Sequence, residues 1–87
     1  MSAKKKPSQM RKRLAREFQR SRFEKNITQE ELAFRSGLHR TFISMIERGT
    51  KSPTFDSMEL LADALGVRLS ELIARAERGA LKAIRHA

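Results

Sequence analysis

No cysteine occurs in the chain, which excludes disulfide bridges and thiolate metal sites and suits a reducing cytoplasm. Tryptophan and tyrosine are absent too, so five phenylalanines carry all the aromatic character. No stretch approaches the ~20 apolar residues that a membrane span needs, and the basic N-terminus lacks the apolar segment of a secretory signal. Acidic side chains are scarce beside basic ones, ten against nineteen, for a formal net charge of +9. With 87 residues there is room for one small domain with a modest core, and none for a separate effector-sensing domain. The apolar residues recur at helical spacing, which predicts a compact helical bundle rather than a sheet.

The charge is unevenly placed. Residues 1–13 contain Lys4, Lys5, Lys6, Arg11, Lys12 and Arg13 and no acid, whereas residues 14–79 hold eleven basic and ten acidic side chains; Lys82 and Arg85 follow. The domain is therefore nearly neutral, and the positive field comes chiefly from an N-terminal arm. Interrupted by Pro7 and Ser8, this arm is expected to be disordered when free. Either it follows DNA phosphates or enters the minor groove, or it serves only as a solubilising leader or is in part a cloning remnant.

The richest segment is ITQEELAFRSGLHRTFISMIERGTKSP, residues 27–53, which reads as two short helices joined by a tight turn, the second offered to a DNA groove. Thr28 and Glu31 form a capping box, each side chain expected to satisfy a backbone N–H at the other end. Leu32 and Ala33 make the buried stripe of the first helix. Ser36-Gly37 ends it, because glycine enters a left-handed turn without steric cost. The second helix is expected from about His39 to Arg48, with Ile43 and Ile46 turned inward, Leu38 joining them from the turn, and Gly49 as the stop.

Arg40, Thr41, Ser44 and Met45 are then left outward on the first turns of that helix, where a recognition helix meets base edges. Arg40 is the strongest base reader, since guanidinium can engage guanine O6 and N7 together; a phosphate contact is its alternative. Thr41 suits a thymine methyl or a phosphate oxygen, Ser44 is short and permissive, and Met45 either touches thymine or belongs to a packed edge. Phe42 either covers the sugar–phosphate backbone or closes the edge of the core. His39, at the helix start, is expected to be structural or to contact a phosphate. Only His86 joins it as a histidine, and no cysteine or carboxylate pair stands at ligand spacing, so no metal site is expected. Lys51 and Ser52, in the loop after Gly49, should meet the DNA backbone.

Three further helices complete the pattern. The first of the chain is expected from Gln9 or Met10 to Lys25, with Leu14 and Phe18 inward. A fourth follows Pro53, capped by Thr54, carrying Met58, Leu61, Ala62 and Leu65 as one stripe and ending at Gly66. A fifth is capped by Ser70. Its apolar stripe, Leu69, Leu72, Ile73, Ala76, Ala80, Ala83 and Ile84, crosses Gly79, so residues 80–87 are either a frayed tail or a helix extension. In the second case Leu69, Leu72, Ile73, Ala76 and Ala80 offer an interface for a homodimer.

Four segments in order, TQEELA from Thr28, SGLHRTFIS from Ser36, IERG from Ile46 and LADALGV from Leu61, resemble the repressor-and-Cro type of helix-turn-helix regulator, the XRE family. The resemblance runs from Leu14 to Ile73, and the LHRTFI form of the turn looks like the controller proteins of restriction–modification systems. It implies an all-α, five-helix, lambda-repressor-like domain over residues 14–79. It also implies binding to double-stranded DNA as a homodimer on an inverted repeat, repression of transcription, no catalysis and no cofactor. By the same resemblance Gln29 matches a glutamine that grips a phosphate and braces the recognition helix, and Arg22 and Glu47 match an ion pair tying the first helix to the end of that helix. Ser21 stands where the family usually has an aliphatic residue, and Phe23 is expected to compensate.

An enzyme is disfavoured by the lack of a GxSxG turn, a phosphate-cradling glycine loop or a metal cluster. Two other readings are an antitoxin that binds a protein partner while controlling its own promoter, and a nonspecific packaging protein driven by the basic arm.

Overall fold

Five α-helices and their short connections make up the computed structural model, which describes residues 9–86, with side chains in the last helix described as far as Gly79. They are α1 (Gln9–Glu24), α2 (Gln29–Ser36), α3 (Arg40–Glu47), α4 (Phe55–Leu65) and α5 (Leu69–His86). No strand occurs among the described residues. The all-α expectation holds. α1 starts at Gln9, within the expected start at Gln9 or Met10, so Arg11, Lys12 and Arg13, counted above with the basic arm, stand on its first turns. The cause is cooperative: once Ala15 and Phe18 are buried, extending the helix backwards is far cheaper than nucleating a new one. Lys4, Lys5 and Lys6 lie outside the described residues.

Local chemistry sets most helix ends. Asn26, in the left-handed region at φ 59°, closes α1 and donates its N–H to the Phe23 carbonyl at 2.9 Å. Thr28 caps α2, accepting from the Glu31 N–H at 3.0 Å, but the return half of the expected capping box is replaced: the Glu31 carboxylate turns to Arg35 at 2.8 Å. Gly37, at φ 77°, ends α2 and sets the angle at which α3 leaves. Thr54 caps α4 through the Ser57 N–H at 3.0 Å. At α5 the helix starts at Leu69, one residue before the serine expected to cap it, and the Leu72 N–H bonds the Arg68 carbonyl at 3.2 Å. Leu69 packs against the core, and this draws the first turn forward past Ser70.

Every helix contributes to one core: Phe18 from α1, Leu32 from α2, Ile43 and Ile46 from α3, Leu61 and Leu65 from α4, Leu72 from α5. α5 packs chiefly along α1, so two long helices form a base on which the short α2 and α3 are mounted. Leu72 and Ala76, expected at an interface between subunits, are 0% and 1% exposed and belong to this internal contact. They are covered within the protomer and are withdrawn from that face. α5 runs unbroken through Gly79 to His86.

Candidate nucleic-acid interface

α3 is held at both ends. At its start His39 is the N-cap, its Nδ1 accepting from the Thr41 N–H at 3.4 Å. Near its end the Glu47 carboxylate, 2% exposed, receives a fork from Arg22: Nε to Oε2 at 2.8 Å and Nη2 to Oε1 at 3.0 Å. The third arm of the guanidinium donates to the Ile27 carbonyl at 3.0 Å, so Arg22 ties α3 to the α1–α2 connection as well. Gln29 Nε2 donates to the same Glu47 Oε1 at 3.0 Å. One buried carboxylate therefore gathers α1, the first residue of α2 and the end of α3. Three planar groups in fixed geometry set the tilt of α3 far more tightly than apolar packing alone.

With Ile43 and Ile46 turned into the core, Arg40 and Thr41 are exposed and Ser44 and Met45 are half-buried on the other side of α3. Arg48 Nη1 donates to Ser44 Oγ at 3.1 Å, an engagement the sequence reading missed, although the i, i+4 spacing is its signal. Phe42 closes the edge of the core, and Lys51 stands over its ring, the ammonium 5.8 Å from the centroid. Lys51 and Ser52 are exposed in the loop after Gly49. The bond from Gln29 to Glu47 joins residues far apart in sequence and has no local signal.

Between the end of α1 and the start of α2 lies a cleft lined by Arg22, Phe23, Thr28, Gln29, Glu30 and Arg40. It brings Arg40 close to the N-terminus of α2, whose first turn carries Glu30 and Glu31. Phe23 does not fill the place of Ser21. It is 62% exposed, with the Arg22 guanidinium 4.7 Å from its ring centroid, while Ser21 is buried alone. Of the residues expected to pair two subunits, Leu69 and Ile73 are half-buried, and the Ala80 side chain lies outside the described residues.

The geometry has close relatives. A family model described as helix-turn-helix matches residues 13–72. The control protein C.BamHI of Bacillus amyloliquefaciens is 50% identical over 48 residues, 55% of this chain and 59% of that protein, so the match spans less than two thirds of that relative. An uncharacterized HTH-type transcriptional regulator, y4dJ, of Sinorhizobium fredii is 45% identical over 64 residues, 74% of this chain and 83% of that protein. Among solved structures, a point mutant of the restriction-modification controller protein C.Esp1396I is similar at a TM-score of 0.80 and 35% identity, covering 88% of this chain and 98% of that one. With a family match across most of the chain, on a fold that braces α3 and leaves Arg40 and Thr41 outward, the chain belongs to the helix-turn-helix transcriptional regulators of the repressor and Cro type.

Proposed function

We propose that the protein binds a specific DNA sequence as a homodimer on an inverted repeat and represses transcription there. The observation that carries this reading is the Glu47 knot: Arg22 and Gln29 fix α3 from behind while Arg40 and Thr41 stay free in front. In the docked complex Arg40, Thr41, Ser44 and Met45 face base edges in the major groove. Gln29, His39, Phe42, Lys51 and Ser52 flank the backbone and set register. Such a short helix reads only a few base pairs, so two copies are needed, with half-sites ~34 Å apart or a multiple of that.

The dimer face proposed is the outer side of α5, where Leu69 and Ile73 remain half-buried. A groove lined by Leu60, Ala62, Val67 and Leu69, and edged by Asp56, Glu59 and Asp63, continues it onto α4. The genes proposed as targets are those of a restriction–modification system, because C.BamHI and C.Esp1396I are named as controllers. Selection from a random duplex library tests the reading. Enrichment of an inverted repeat that also occurs upstream of the gene is the expected result, and a library that stays random under selection would refute it.

A further inference from the structure

Arg11 and Lys12, on the first turns of α1, lie against the two ends of the loop that follows α3. The stem of Lys12 lies beside Gly49, where a β-carbon would be in ordinary contact with its Cγ at 3.6 Å. Arg11 lies with Leu14, Ala15, Phe18, Ile46 and Pro53 around a shallow cleft, and its Nε is buried without a hydrogen-bond partner among the described residues. Gly49 and Pro53 bracket Lys51 and Ser52, the loop residues placed on the DNA backbone above. Lys12, Arg48 and Lys51 are all exposed. Neither contributing segment, residues 9–16 or 48–55, contains an acid, so these cations are not neutralised from within their own segments.

We propose that Lys12 forms, together with Lys51, a second seat for the DNA backbone, so that α1 itself grips a phosphodiester group beside those met by the loop. The proposal rests on the reading of the protein as DNA-binding. Its ligand is the phosphodiester backbone of duplex DNA. Gripped near the N-terminus of α2 on one flank of α3 and at this seat on the other, the helix is held at a set depth in the groove.

The test compares salt dependence on a random duplex for the unaltered protein, Lys12→Ala and Arg78→Ala. Arg78 carries the same charge but lines a different cleft, with Glu17 and Arg20. The slope of log K against log salt should become shallower by ~0.9 per subunit for Lys12→Ala and stay unchanged for Arg78→Ala. Lys12 is exposed, and an unchanged thermal melt confirms that its variant folds. Equal slopes for Lys12→Ala and the unaltered protein would overturn the proposal. Operator preference is measured alongside: its absence in the unaltered protein would refute the regulator reading, while the slope comparison on random duplex would still decide the role of Lys12.

Discussion

Ser21 is 1% exposed, and its Oγ has no hydrogen-bond partner among the described residues. A hydroxyl buried in this way costs ~1–3 kcal/mol relative to a satisfied one, so Ser21→Ala should raise the unfolding free energy by ~1 kcal/mol in a urea titration. A loss of stability would show that the hydroxyl has an acceptor. Arg22 is the opposite case, a buried cation with each arm engaged. Arg22→Ala should cost ~3–5 kcal/mol, because Glu47 is left buried with only Gln29, whereas Arg22→Met combined with Glu47→Leu should recover most of the loss. A cost below ~1 kcal/mol for the single change, which is typical of exposed pairs, would remove the pair as a brace. Resemblance to a family named these two residues in the sequence. Their burial, the arm to Ile27 and the share taken by Gln29 arise from three elements meeting in space, and nothing local in the chain announces them.

At the level of elements, what was legible is what is decided locally. Gly37 and Gly66 in left-handed turns, Thr28 and Thr54 as caps and the inward stripes of α3 and α4 all follow from backbone sterics and helical period. What was not legible depends on a distant partner. Leu72 and Ala76 are as apolar as Leu69 and Ile73, and only the position of α1 decides which of them become core. Gly79 is a case of near balance: a helical glycine costs ~1 kcal/mol relative to alanine, which the continuing turns of α5 outweigh. A side chain at residue 79 would meet Arg13 Cδ at 3.6 Å, an ordinary contact. Gly79→Ala should therefore stabilise the protein by ~1 kcal/mol and raise its helical signal in circular dichroism; a fall in both would mean that α5 needs a break there. Earlier on the same helix, hydrogen bonding from Arg75 is the main reason that the exposed Glu71 carboxyl titrates below its usual range, with Arg78 adding to it. That contribution is present above the ordinary carboxylate range and is lost as pH falls through the lowered value.

For the whole molecule, the account joins a braced reading helix to a paired assembly. Ile73→Asp, on the proposed dimer face, should yield a folded monomer in analytical ultracentrifugation at micromolar protein, while the unaltered chain sediments as a dimer; a dimer that survives the change would place the interface elsewhere. In the proposed complex sequence specificity rests on Arg40, which is exposed at the first position of α3 beside the N-terminus of α2. The decisive measurement is the affinity of Arg40→Ala for the selected operator and for every single-base variant of its half-site. The account predicts a loss of ~1–3 kcal/mol on the preferred site, with relaxed selection at one position per half-site. An equal loss on all sequences would put Arg40 on a phosphate and contradict the claim that this helix reads bases through it.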